Sequence, residues 1–408
     1  MALKFPIFMD AQSTTPCDPR VVEAMLPYFT EKFGHPASRN HPFGWEAEAA
    51  VDHGRAQIAK LIGARDPKEV VFTSGGTESI NLGLKGVAEM YREKGNHIVT
   101  TVTEQRAGLD VCKRLERQGF EVAYVPVQPD GLVDLDEIRK AITAKTILIS
   151  VMFANNEIGT IQDVAAIGKL AKEKGILFHT DATQAVGKIP VNVEAMGIDL
   201  LSCTAHLMYG PKGVGALYVR RKGPRVRIAP IIDGGGHERG MRSGTLPVPL
   251  IVGFGKAAEI CREVMTEESA RLGRMRDRLQ DTILSNVDEA FLNGHPERRL
   301  PQNLNISFAY VEGESVLMGL NKETALSSGS ACTSSTLEPS YVIAALGASA
   351  ELAHSSIRFS LHRFNTDEEV EFVSGRMLDV VKRLRDMSPL YELAKEGVDL
   401  KSIKWKAD

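Results

Sequence analysis

Apolar residues along this chain recur at two spacings, and the alternation between them predicts the architecture. Short runs at Glu69–Thr73, His97–Thr101, Glu121–Val127, Thr146–Met152, Ile176–Thr180 and Leu200–Cys203 are apolar at nearly every position, as in strands covered on both faces. Between and before them, Trp45–Gly63, Thr77–Glu93, Ala107–Gln118, Asp134–Ala141 and Val164–Lys174 repeat their apolar residues at helical intervals. Strands alternating with helices of ten or more residues imply βαβ units and a mainly parallel sheet. After Gly244 the texture changes to one long helical stretch, Val248 to about Ser285. It is followed by short strands at Asn303–Phe308 and Ser355–Ser360, helices at Val316–Leu320 and Tyr341–Leu346, and a charged helix at Thr366–Arg385.

That pattern divides the chain into an α/β unit over residues 16–262 and a smaller α+β unit over 263–408, with residues 1–15 expected to pack on the smaller one. At 408 residues the chain is long enough for two or three such units. Lys and Arg total 49 against 52 Asp and Glu, a net charge of −3, so bulk electrostatics gives no sign of direct nucleic-acid binding. No apolar stretch approaches a membrane helix. The opening residues MALKFPIFMDAQ lack the apolar centre of a signal peptide. Five scattered cysteines without a CxxC pair suit a reducing compartment with at most one thiol of special importance. A cytoplasmic protein without a resident metal is the expectation.

Polar clusters end several strands, where an α/β sheet binds its ligands. Ser74-Gly75-Gly76-Thr77-Glu78-Ser79 follows one strand and opens a helix, an arrangement that can hold a phosphate on backbone N–H groups and the Thr77 hydroxyl. Asn155-Asn156-Glu157, His179-Thr180-Asp181 with Gln184, and Thr204-Ala205-His206 end later strands. A carboxylate such as Asp181 can simply cap the next helix. Set among these clusters, it is better read as the partner of a protonated pyridine nitrogen, as in enzymes that use pyridoxal phosphate.

With these motifs the chain resembles the cysteine desulfurases of the NifS and IscS type, pyridoxal-phosphate enzymes of fold type I and the class V aminotransferases. The resemblance is carried by Asp10-Ala-Gln-Ser-Thr-Thr-Pro16, Thr73-Ser-Gly-Gly-Thr-Glu-Ser79, Ala154-Asn-Asn-Glu-Ile-Gly159, Thr180-Asp-Ala-Thr-Gln-Ala185, Tyr209-Gly-Pro-Lys-Gly213, the loop from Gly234 to Thr245, and Ser328-Gly-Ser-Ala-Cys332. It implies a seven-stranded, mostly parallel sheet in the large domain. By the same resemblance Gly76, Thr77, Thr204 and His206 would cradle the cofactor phosphate, and Thr245 would reach the phosphate of the other subunit in a homodimer. Asp181 would pair with the pyridine nitrogen, with Asn156 and Gln184 at the ring's edge. Arg358 would clamp the substrate carboxylate as a two-pronged fork, and Cys332 would carry the sulfur. The tail, with Tyr391, Leu393, Val398, Ile403 and Trp405, resembles a segment that docks an iron–sulfur scaffold or another sulfur acceptor.

Four positions depart from the family pattern. Leu207 stands where the family has its cofactor lysine, so no covalent lysine-bound pyridoxal phosphate is expected. Gln105 replaces the ring-stacking histidine and cannot titrate. His35 replaces an asparagine near the substrate carboxylate, and Ser13 replaces an alanine. Three functions follow: a sulfurtransferase that loads Cys332 from a persulfide without pyridoxal phosphate, a non-catalytic scaffold for iron–sulfur assembly partners, and a genuine cysteine desulfurase with an unconventional site.

Overall fold

The computed structural model describes residues 3–328 and 339–397. Thirteen strands are present among the described residues: β1 (Ile7–Phe8), β2 (Val70–Thr73), β3 (His97–Thr101), β4 (Glu121–Val125), β5 (Thr146–Ser150), β6 (Leu177–Asp181), β7 (Leu200–Thr204), β8 (Gly215–Val219), β9 (Ala290–Leu292), β10 (Asn303–Phe308), β11 (Thr324–Ala325), β12 (Ser327–Ser328) and β13 (Ser356–Ser360). Seven of them form the large sheet in the order β2-β8-β7-β6-β5-β3-β4. Every pairing in it is parallel except those of β8, which runs against both β2 and β7.

The sequence pattern missed β8. Residues 205–214 join it to β7 with no helix, too short a link for a parallel crossover, so the strand must turn back. The pattern also missed the short helices Pro19–Met25, Pro27–Thr30 and Ala350–His354. The longer elements lie within a few residues of their expected bounds, as with the helices Pro42–Ile62 and Gly76–Met90.

Burial on both faces explains the apolar strand runs. On β2, Val70 and Phe72 enter one core with the helices Pro42–Ile62 and Val164–Lys174, while Val71 points to the other with the Gly76–Met90 helix. A separate core in the smaller unit gathers Leu304, Ile306, Ile357, Phe359 and Val373, together with Ile7 and Met9 from the start of the chain. β1 adds to this unit by pairing in parallel with β11.

One 39-residue helix, Val248–Asn286, links the two units. Its rise of about 58 Å lets Ile251, Phe254 and Ala258 pack in the large core and Leu272, Leu279 and Ile283 in the small one. Near its start it lies close against the Pro42–Ile62 helix, where a Cβ on Gly255 would come within 2.5 Å of Gly54 Cα. No described helix is long and apolar enough to cross a membrane.

Candidate functional site

Because β2, β5, β6 and β7 are mutually parallel, their carboxyl ends meet at one edge of the sheet. A cavity of about 330 Å³ opens there. It is lined by Ser13, Gly76, Thr77, Asn156, Asp181, Gln184, Thr204, His206, Gln105, Leu207 and Arg358, all singled out from the sequence, together with Gln12, Ile80 and Thr183.

The first turn of the Gly76–Met90 helix forms one wall. Thr73 Oγ1 lies 2.7 Å from Ser79 Oγ, and Ser79 donates to the Gly75 carbonyl at 3.0 Å, which ties the turn across itself. No side chain caps the helix at Gly75, leaving its opening N–H groups for an anion. Two glycines make room. A Cβ on Gly76 would approach Thr183 Cγ2 to 2.7 Å, and one on Gly215 would meet Gly75 Cα at 2.7 Å.

Asp181 ends β6. One carboxylate oxygen accepts the Thr183 N–H at 2.9 Å, while Oδ2 is buried with no partner. Burial raises its carboxyl above the usual range, against the opposing pull of the Thr183 bonds. Facing the same space are the orphaned buried atoms Gln184 Oε1, Asn156 Oδ1, Gln12 Nε2 and Arg358 Nε. Unpartnered buried groups are costly, and here acceptors and donors converge, as a polar ring compound requires. Burial holds His206 below its ordinary value, helped by Lys212 and Lys188, so at neutral pH the ring is uncharged and its Nδ1 shares a hydrogen with Thr14 Oγ1 at 3.2 Å.

Gln105 lines the cavity, but its Oε1 accepts the Ala107 N–H at 2.7 Å and so caps the Arg106–Glu116 helix. Glu104 beside it is buried, bonded to Thr101 Oγ1 at 2.8 Å and Met152 N–H at 2.9 Å, and burial pushes it up to about 8. Leu207 supplies apolar surface. No lysine is among the described residues that line the cavity. The nearby Lys188 is buried with its Nζ unpartnered and is pushed down to about 8 by burial, yet it does not line the cavity, and neither does the exposed Lys212.

Two expected participants lie elsewhere in this chain. His35 sits on a loop near His237, ring centres 6.4 Å apart, and accepts the Ala37 N–H at 3.1 Å. Thr245 is exposed at the end of the glycine-rich loop. That loop is fixed by Glu238, which accepts two bonds from Arg55 at 2.7 and 2.8 Å and one from the Phe72 N–H at 2.8 Å. Cys332 and residues 398–408 of the tail lie outside the described residues. The start of the tail is described: the helix Pro389–Lys395 lays Tyr391 near the Arg385 guanidinium, 5.2 Å from the ring centre. Of the other cysteines, burial raises Cys112 and Cys203 to about 12 and Cys261 to about 11. Cys17 is half-buried, in the turn before the Pro19–Met25 helix.

His179, in the same sequence cluster as Asp181, is structural. It is buried between Ser150 Oγ and Ser202 Oγ, each at 2.9 Å. Gln12 was missed as a lining residue. Its contacts, Asn303 Nδ2 at 2.6 Å and Gln184 Nε2 to its carbonyl at 3.0 Å, join residues too distant in sequence for spacing to reveal. A larger groove of about 820 Å³ lies at the opposite edge of the sheet, between residues such as Tyr91, Lys94, Lys172 and Arg225. None of its lining residues carries an orphaned buried polar atom, so the chemistry concentrates in the smaller cavity. Among the described residues no three metal-ligating side chains converge.

A family model for class V aminotransferases matches residues 7–373. The chain is 57% identical over 407 residues to the cysteine desulfurase IscS of Mannheimia succiniciproducens, covering 99% of this chain and all of that one. It is 54% identical over 403 residues to the IscS of Rickettsia conorii, covering 99% and 98%. Among solved structures, a NifS-like protein superposes with a TM-score of 0.85 at 38% identity, over 93% of this chain and all of the other.

Proposed function

Since this chain belongs to the IscS family of cysteine desulfurases, within the class V aminotransferases, we propose that it mobilises sulfur for iron–sulfur cluster assembly through Cys332, loaded from a persulfide. The family depends on pyridoxal phosphate, and the cavity's residues fit the non-covalent part of that cofactor. The uncapped helix start with Gly76, Thr77, Thr204 and His206 would hold the phosphate. Asp181, whose free oxygen is buried without a counter-charge, would take the ring nitrogen, with Asn156 and Gln184 at the ring's edge. When bound, the cofactor supplies an electron sink for bonds at an amino acid's α-carbon.

The observation that carries the finer reading is the absence of any lysine from the cavity's described lining, with Leu207 in its wall. Leucine has no nitrogen to bond the cofactor and none to move a proton at a substrate carbon. Gln105 cannot titrate either. Sulfur can reach Cys332 without these groups: its thiolate attacks the outer sulfur of a low-molecular-weight persulfide, the S–S bond breaks, and the donor leaves as a thiolate. That exchange conserves sulfur oxidation state overall and depends on access and thiolate fraction. The loaded thiol would then pass sulfur to an acceptor protein, with the chain acting as a homodimer.

A second reading is favoured by the relatives: identity of 54–57% over nearly the whole chain to cysteine desulfurases speaks for desulfuration of cysteine itself. The two are separated by supplying the purified protein with pyridoxal phosphate and cysteine, or with a low-molecular-weight persulfide, and measuring alanine, sulfide and the mass of the Cys332 peptide. The proposal expects the persulfide mass increment from the second donor, lost in Cys332→Ser, and no alanine from the first. Catalytic release of alanine would establish the second reading.

A further inference from the structure

Arg358 projects from the middle of β13 into the cavity, its side chain almost wholly buried. Its guanidinium has five N–H donors in a fixed plane. Nη2 donates to Asp10 Oδ1 at 2.7 Å and to Ser13 Oγ at 2.7 Å, which uses both of its hydrogens. Nη1 donates to the Asn156 carbonyl at 2.9 Å, and Nε has no partner. A carboxylate docks on a guanidinium with both oxygens along one of two edges, Nε with Nη2 or Nη1 with Nη2. Each edge needs Nη2. An incoming carboxylate therefore cannot make the two-pronged contact while Asp10 and Ser13 hold their places, and Asp10 already offsets the positive charge it would seek.

Asp10 and Ser13 are unequal obstacles. Asp10 is anchored by the bridge it makes with Ser360. Ser13 is exposed and contributes a single hydroxyl oxygen to the fork. Removing that oxygen frees one Nη2 hydrogen on the cavity side and disturbs nothing in the core.

We infer that Ser13 is a specificity-determining residue: with Asp10 it closes the fork of Arg358, so that the cavity accepts vitamin B6 phosphates without a carboxylate and discriminates against their amino-acid adducts. This rests on the reading that the cavity holds a B6 phosphate. It assigns Arg358 in this chain a resting role as the partner of Asp10, with both Nη2 hydrogens taken and only Nε–H and the second Nη1–H left over.

Two stable probes test it by equilibrium dialysis on the full-length protein: pyridoxamine 5′-phosphate, and N-(5′-phosphopyridoxyl)-L-alanine, which adds a carboxylate. The wild type is expected to bind the adduct no more tightly than pyridoxamine phosphate. Ser13→Ala should strengthen adduct binding by about tenfold, the worth of one charge-assisted hydrogen bond, and leave pyridoxamine phosphate unchanged. Ser13→Thr, which keeps the hydroxyl, should retain the wild-type ratio. A wild type that prefers the adduct by about tenfold, or an unchanged ratio in Ser13→Ala, overturns the role of Ser13 while leaving the B6 reading intact. Failure of both probes to bind the wild type and the Ser13→Ala variant removes the B6 reading, and this inference with it.

Discussion

Leu207 and Gln105 line the same cavity, and each withholds a different chemical capacity. Lysine at 207 would supply an amine, and histidine at 105 would supply a titratable ring. Leu207→Lys is therefore expected to place a phosphopyridoxyl group on residue 207 after borohydride reduction, yet to release only trace alanine from cysteine. Adding Gln105→His should raise the rate by more than the product of the single effects, because positioned acid–base groups contribute about 10²–10⁴-fold and act with the amine as a unit. Full activity from the lysine alone would show that Gln105 is no handicap. A second residue-scale expectation concerns Glu104. Its buried carboxyl titrates near 8 in the fold against an ordinary value of about 4.3 unfolded. Between those values the folded state binds more protons, so stability falls as pH rises, by at most about 1.4 kcal/mol per pH unit. Glu104→Gln keeps the oxygen that accepts from Thr101 and Met152. Its melting temperature should fall less than the wild type's between pH 5 and 8, and parallel profiles would contradict the assignment.

At the scale of elements, the site depends on close contact between the Gly75–Gly76 turn and β8. Gly215 faces Gly75 so closely that even a methyl group would overlap backbone, and backbone cannot swing aside as a side chain can. Gly215→Ala should cost about 1–3 kcal/mol in unfolding free energy and weaken B6-phosphate binding more than Gly223→Ala, a control with open space around it. Gly223 has positive φ, so the control reports backbone strain without the overlap. The strands that deliver Asp181, Thr204 and the Gly76 turn were legible because each is a short apolar run ended by polar residues, a signal local to the sequence. β8 was not, since Gly-Ala-Leu-Tyr-Val follows a helix-free loop and its partners lie far away in sequence. Nor could sequence reveal that Gln105 spends its amide on a helix cap, or that Arg358 is met by Asp10 and Ser13 some 345 residues earlier. Those facts belong to tertiary contact.

At the scale of the molecule, the cavity is where the two units meet, since Arg358 comes from the smaller one and the strand ends from the larger. Arg363 reinforces this junction. Its guanidinium lies 3.7 Å from the Tyr209 ring centre and bonds Asp18 at 2.9 Å and Glu268 on the long helix at 2.8 Å. The described lining thus gathers Gly76, Thr77, Asp181, Thr204 and His206 with no lysine among them, and the proposed non-covalent binding of a B6 phosphate there is the central claim. The direct test is to saturate the full-length protein with pyridoxal phosphate, reduce with borohydride, and map the peptides by mass, with a parallel sample dialysed without reduction. The account predicts that pyridoxal phosphate binds at one equivalent per chain, leaves on dialysis, and marks no lysine after reduction. Stoichiometric phosphopyridoxyl on Lys188, Lys212 or any other single lysine would contradict it.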